Sequence, residues 1–171
     1  MTDASLITLV EETGSTNADL ANAIRAGEAW PEGRWLVARR QTAGRGRQGR
    51  EWFDGAGNFM GSCAVKAEEG DPPPASLSFV AALAVRDAAA HALGKNDALA
   101  LKWPNDVLLE GGKLSGILLE MVKGQIVVGI GVNLSRAPDL PDRKTVALTQ
   151  AITPPTLDDF AANLAGHFAA R

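Results

Sequence analysis

The chain has 171 residues, of which 46% are hydrophobic and 22% charged, and its net charge is −3. That length suits one domain with one sizeable core, and the composition excludes wholesale disorder. The mildly acidic balance disfavours a generic polyanion binder, and the single cysteine, Cys63, excludes both an internal disulfide framework and a multi-cysteine zinc site.

The start, Met1-Thr2-Asp3-Ala4-Ser5, has no basic stretch ahead of an apolar one, so no secretory signal is expected. The apolar run Phe79 to Val85 is cut by Arg86 and Asp87, too short for a membrane span. The expectation is a soluble, cytoplasmic protein.

The predicted elements follow in chain order. Leu6 to Glu11 reads as a strand. Thr16 with Asp19 resembles a capping box, opening a helix that carries Leu20 and Ile24 on one face and ends at Gly27. Arg34 to Arg39 reads as a strand, and Asn58 to Lys66 as another that contains Cys63. Asp71-Pro72-Pro73-Pro74 breaks the chain before a long alanine-rich helix from about Ala75 to Leu93, with Leu77, Val80, Ala84 and Ala88 at helical spacing. The second half is β-rich. Leu99 to Trp103 is a strand stopped by Pro104, and Val107 to Leu109 and Lys113 to Val122 flank a Gly111-Gly112 hairpin signal. From Gln125 to Leu134, Ile126, Val128, Ile130, Val132 and Leu134 share one face, and Val127, Gly129, Gly131 and Asn133 the other. Glycines inside a strand often mark close approach by a ligand or another backbone. A last helix starts at Thr156-Leu157-Asp158-Asp159 and carries Phe160, Leu164 and Phe168.

Charge distribution says more than total charge. Six arginines (Arg34, Arg39, Arg40, Arg45, Arg47 and Arg50) fall in one stretch with no acid among them. Gly44, Gly46 and Gly49 alternate with the last three. Glycine lets backbone N–H groups approach a ligand, and arginine offers a planar fork to carboxylate or phosphate. The block formally matches G-x-G-x-x-G, but Arg50-Glu51-Trp52-Phe53-Asp54-Gly55 after it is poor helix material, so a dinucleotide fingerprint is rejected. No P-loop sequence is present. His91 and His167 lack metal-ligand spacing.

Ser-Thr-Asn at 15–17, the Gly-Arg-Gly-Arg-Gln-Gly-Arg-Glu-Trp block at 44–52, Lys-Trp-Pro-Asn-Asp at 102–106, Lys-Leu-Ser-Gly-Ile-Leu-Leu-Glu at 113–120 and Gly-Ile-Gly-Val-Asn-Leu at 129–134 occur in that order. Together they resemble the catalytic domain of the biotin protein ligases. The resemblance implies an α+β fold: a mixed, largely antiparallel central sheet with flanking helices, the biotin/lipoate ligase catalytic fold, similar to class II synthetases. It implies ATP-dependent activation of biotin to biotinyl-5′-AMP, then transfer to a lysine of a biotin carboxyl carrier domain. ATP with Mg²⁺ is expected, with no metal ligand assigned to the protein.

By the same resemblance, biotin would be held by Ser15, Thr16, Asn17, Gln41, Gly44, Arg45, Gly46 and Arg47, with Lys113 at its carboxylate. Gly116, Ile117 and Gly131 would line the pocket, the bare glycine face leaving room for the acyl chain. Arg47, Arg50, Trp52, Lys102, Asn105, Asp106 and Asn133 would serve the nucleotide. Lys113, Arg45 and Arg47 are the catalytic candidates, by charge stabilisation. The Arg/Gly loop would order over the adenylate. The nearest alternative is a lipoate or octanoate ligase or transferase of the same fold, for which Cys63 would be the only thiol. The whole chain, 1–171, is expected to be a single catalytic domain. It would lack the N-terminal DNA-binding domain of bifunctional relatives and the usual small C-terminal β-barrel domain. No DNA or membrane partner is expected, and a homodimer stays open.

Overall fold

The computed structural model describes residues 6–171; the five residues on which the absence of a secretory signal was read lie outside it. Among the described residues, seven strands form one mixed sheet. In chain order they are β1 (Ile7–Val10), β2 (Trp35–Ala38), β3 (Phe59–Lys66), β4 (Leu99–Lys102), β5 (Asp106–Leu109), β6 (Gly112–Val122) and β7 (Gln125–Val132). The helices are α1 (Thr16–Ala26), α2 (Leu77–Leu93) and α3 (Leu157–Ala169). The spatial order is β1-β2-β3-β7-β6-β5-β4, and only β1 and β2 run parallel. The expected mixed, largely antiparallel sheet with flanking helices is the one observed.

Sheet alternation separates two environments. Cys63 pairs with Val128 and Ile117 with Ile130, and these side chains join α2 and α3 in the main core. Two aromatic contacts seat α3, Trp35 with Phe168 at 5.5 Å and Phe59 with Phe160 at 5.7 Å, and Trp35 meets Phe59 beneath it at 6.2 Å between centroids. Such pairs add about 0.5–1.5 kcal/mol each beyond area burial. The opposite face carries Leu20, Ala21 and Ile24 of α1 against Ala64, Val122 and Val127.

The stretch Pro74–Leu93 is continuous for 20 residues at a mean hydropathy of 1.2, long and apolar enough by composition to cross a membrane. This corrects the expectation that no apolar run is long enough. Its alanines at 81, 84, 88 and 89 and Val85 are buried in the main core, the arrangement of a core helix. Half-buried Val80 sits at the margin of that stripe. Alanine on this face lets α2 lie close to the sheet and to α3.

Two tight hairpins fix the register of β5, β6 and β7. Glu110-Gly111 (φ 48° and 77°) and Lys123-Gly124 (φ 46° and 76°) both take the paired left-handed conformation that suits two-residue hairpins. The first turn is therefore Glu110-Gly111, and Gly112 opens β6 instead of closing the turn.

Candidate functional site

Beside α1, on the same face of the sheet, lies a cleft of about 840 Å³. Its residues come from the N-terminus of α1, the loop between β2 and β3, the strands β3, β5, β6 and β7, and the segment 138–145.

At one end is a buried polar network. Ser15, not Thr16, caps α1, accepting from the Ala18 N–H at 3.4 Å. This corrects the expected cap by one residue and frees Thr16 for the site. Gln41 Oε1 accepts from the Thr16 N–H at 2.7 Å and lies 3.1 Å from Thr16 Oγ1. Thr16 Oγ1 is 2.8 Å from Ser62 Oγ, which donates to Asn17 Oδ1 at 2.6 Å. Asn17 Nδ2 donates to Glu120 Oε2 at 2.7 Å. Thr16, Asn17, Gln41 and Ser62 are all buried, so each unmade bond here would be costly. Asp54 holds the loop entry by accepting from the Gln41 N–H and from Arg40 Nε.

The Arg/Gly stretch folds back on itself. The Trp52 N–H donates to Gly44 O at 2.9 Å and the Gly46 N–H to Arg50 O at 2.7 Å. Only one short turn, Arg47–Gly49, follows the glycines, in keeping with the rejected dinucleotide fingerprint. The six arginines divide. Arg34 stacks on Trp30, Arg39 pairs with Glu11, and Arg40 pairs with Glu12 and Asp54. Arg45, Arg47 and Arg50 are exposed, line the cleft and make no ion pair among the described residues. Arg47 reaches Asn105 Oδ1 at 3.1 Å.

Lys113 enters the cleft because of a bulge. Adjacent Val107 and Leu108 face Ser115 and Lys113, leaving Leu114 as an extra residue on β6. Leu114 and Ser115 are both fully buried, and Leu114 joins the core. Strict alternation would put Lys113 on the core side with Ser115; the bulge turns it to the side of Gly116. Its Nζ lies 2.8 Å from Asp106 Oδ1 and 5.8 Å from the centre of the Trp52 ring. Asn133 Nδ2 fastens this strand start to the neighbouring segment through Lys113 O at 3.3 Å and Val146 O at 3.2 Å. Buried Asn58 holds the segment's beginning by accepting from the N–H groups of Ser135 and Arg136. Within that segment the Arg143 guanidinium holds the Asp142 carboxyl below its ordinary range.

Most of the expected residues converge: Ser15, Thr16, Asn17, Gln41, Gly44, Arg45, Gly46, Arg47, Arg50, Trp52, Asn105, Asp106, Lys113, Gly116, Gly131 and Asn133 all line the cleft. Two expectations need correcting, those for Lys102 and for the glycine face. Lys102, exposed on edge strand β4, does not line it. Ile117 lines the cleft as expected, and also packs in the core cluster with Ile130. The bare glycine face is not open space. A Cβ on Gly131 would lie 2.2 Å from Trp52 Cε2, and one on Gly129 2.1 Å from Asn17 Oδ1. The glycines admit these side chains, folded down from the loop and from α1. Sequence reasoning gave no role to Ser62, Glu120, Asp54 or the segment from Pro138 to Thr145. Glu120 closes a quoted motif, and Ser62 is a lone hydroxyl in an apolar strand; those were the available signals.

Comparison with known proteins bears on this cleft. The family model described as biotin/lipoate A/B protein ligase family matches residues 9–135. A biotin–[acetyl-CoA-carboxylase] ligase of Paracoccus denitrificans is 48% identical over 136 residues, 77% of this chain and 55% of the relative. One of the same description from Mycobacterium tuberculosis is 43% identical over 145 residues, 82% of this chain and 53% of the relative. The chain thus spans about half the length of these curated relatives. Among solved structures, the biotin protein ligase of Leishmania major in complex with biotinyl-5-AMP superposes with a TM-score of 0.82 at 29% identity, covering 95% of this chain and 72% of that one. The Aquifex aeolicus enzyme in complex with biotin and ATP gives 0.83 at 27% identity, covering 96% and 68%.

Proposed function

Since the chain belongs to the biotin/lipoate A/B protein ligase family, we propose that its cleft activates biotin with ATP and passes it to a lysine of a biotin carboxyl carrier domain. The observation that carries this reading is the position of Lys113. Its ammonium shares one cleft with the buried polar network and the three arginines that make no ion pair among the described residues, and is held there by Asp106.

The two halves suit the two substrates. The network of Thr16, Asn17 and Gln41 offers closely spaced donors and acceptors to a ureido ring. Arg45, Arg47 and Arg50 offer forked donors to a triphosphate. Trp52 Nε1 and Asn133 Oδ1, both on cleft-lining residues, are buried without a hydrogen-bond partner among the described residues, as a site built for a polar ligand would leave them. Among the described residues no group of three His, Cys, Asp or Glu could hold a metal ion. Mg²⁺ would arrive with the triphosphate and supply charge neutralisation beside Arg45, Arg47 and Arg50.

In the first step a carboxylate oxygen of biotin forms a bond to the α-phosphorus, and the bond from that phosphorus to pyrophosphate breaks. Lys113 stabilises the charge gathered there and orients the carboxylate; Asp106 holds Lys113 in place. In the second step the carrier amine attacks the acyl carbon, AMP leaves with the bonding pair, and the amine loses a proton. The folded-back loop at 44–52 shields the mixed anhydride from water. Cytoplasmic location, a lack of DNA and membrane partners, and a single domain over 1–171 are parts of the same proposal.

Buried Cys63 weighs against a transferase that uses a cysteine, because burial drives its thiol far above the ordinary range. The deciding assay is pyrophosphate release with ATP and Mg²⁺ and either biotin or lipoate. Release with biotin and not lipoate is expected; the reverse pattern removes this reading.

A further inference from the structure

Glu120 does not line the cleft, yet it touches a residue that does. It stands on β6 opposite Val127, on the same face as Gly116 and Leu118, and only partly open to solvent. A carboxylate can only accept hydrogen bonds. The Asn17 atom 2.7 Å from Glu120 Oε2 is therefore the amide nitrogen, and the Asn17 oxygen must face Ser62. Ser62 then spends its single proton on Asn17 Oδ1 at 2.6 Å. Its contact with Thr16 Oγ1 at 2.8 Å is left with Thr16 as the donor. The Thr16 proton is thus committed inside the network, to Ser62 or in part to Gln41 Oε1. Only lone pairs of Thr16 remain for a ligand. Gln41, with Oε1 turned to the Thr16 N–H, presents its amide N–H groups toward Gly44 and the cleft.

We infer that Glu120 is a positioning residue that sets the donor and acceptor pattern of the head-group site through Asn17, Ser62 and Thr16. This rests on the biotin reading above and deepens it. The pattern, an acceptor at Thr16 and donors at Gln41, complements a cyclic urea, which has ring N–H donors and one carbonyl acceptor. It does not complement a cyclic guanidinium, which has donors only. Without Glu120 the Asn17 amide could turn over and the pattern would lose its direction. Gly129 is part of the device, because any Cβ there would strike the Asn17 amide.

The test is calorimetric binding of biotin, 2-iminobiotin and ATP to wild type and to Glu120→Gln, Glu120→Ala and Glu120→Met, the last keeping side-chain bulk if the alanine variant fails to fold. Glutamine can offer Oε1 to Asn17 and should bind biotin within about threefold of wild type. Alanine and methionine should weaken biotin about tenfold, shrink the preference for biotin over 2-iminobiotin by a similar factor, and leave ATP affinity unchanged. Parallel losses for biotin and ATP, or an unchanged preference between the two ring analogues, would overturn the inference. Failure of wild type to bind biotin would instead remove the underlying reading.

Discussion

The indole of Trp52 rests on the bare backbone of Gly131, so close that a methyl group on that glycine would lie 2.5 Å from Trp52 Nε1. The two residues are 79 positions apart, and the contact exists because the Gly44 carbonyl receives the Trp52 N–H and turns the loop back over β7. Gly131→Ala should displace the indole and cut biotin-dependent pyrophosphate release at least about tenfold, a barrier change of about 1.4 kcal/mol. The opposite face of β7 is untouched by this change, so the melting temperature should move little. Pyrophosphate assay and thermal denaturation of one preparation separate the effects, and full activity would show that the indole contact is dispensable.

Lys113 and Asp106 form a largely shielded pair, with side chains 18% and 14% exposed. Lys113→Met should lower adenylation by about 10²–10³-fold, the scale for losing one fixed charge or donor at a transition state. It should also cost up to about 3 kcal/mol, since Asp106 is left without its partner. Adding Asp106→Asn should recover the stability and not the rate. Recovery of both in single-turnover measurements would reduce Lys113 to a structural counter-ion.

Cys63 faces the α2 and α3 core, and burial together with the charge of Glu32 holds its thiol well above the ordinary range. An aromatic disulfide reagent at pH 8 should leave it unmodified in the native protein and titrate it fully in guanidinium. Cys63→Ala should keep the adenylation rate and lose about 1 kcal/mol by leaving a small void. A large fall in rate would restore a chemical role for the thiol.

Asp87 ties α2 to the end of the chain. Burial acts against its charge, but hydrogen bonding from Arg86 and the charges of Arg86, Arg171 and His167 outweigh it and hold the carboxyl below its ordinary value. A carboxyl lowered by folding stabilises the native state fully above its unfolded value of about 3.9 and ceases to do so as pH falls through the lower native value. Asp87→Asn should therefore be less stable than wild type at pH 7, with the gap closing as the solution is acidified below that range. Urea titrations at several pH values will show it; a gap independent of pH means that packing, not charge, matters here.

Local signals in the sequence reached the elements and most of the site. The caps at Gly27 and Thr156, the Phe160, Leu164 and Phe168 stripe, and the two-sided β7 were readable because each depends on neighbours a few residues away. What escaped depends on distant pairing. Ser62 is one small residue in an apolar strand until the β3–β7 register and α1 bring Asn17 to it. Ile117 was legible as a lining residue beside Gly116, but not its second place in the core cluster, which strand pleating and the pairing with Ile130 provide. The Leu114 bulge arises from pairing with β5 and has no mark in the residues around it, so the aim of Lys113 was not derivable from spacing. Lys102 shared a motif with Asn105 and Asp106, yet it precedes the Pro104 turn and stays on the outer strand.

Alternation along β7 has a consequence for how this gene can vary. Even-numbered residues from Ile126 to Val132 fill the apolar interior, while Gly129, Gly131 and Asn133 shape the cleft. One strand is thus read in two interleaved frames, each under a different demand. Point substitutions strike one frame at a time, so a lesion in catalysis and a lesion in folding can arise separately. A single-residue deletion at Lys123-Gly124 exchanges the frames, placing isoleucines over the polar network and glycines in the interior. In this strand, gaps should be far rarer than substitutions.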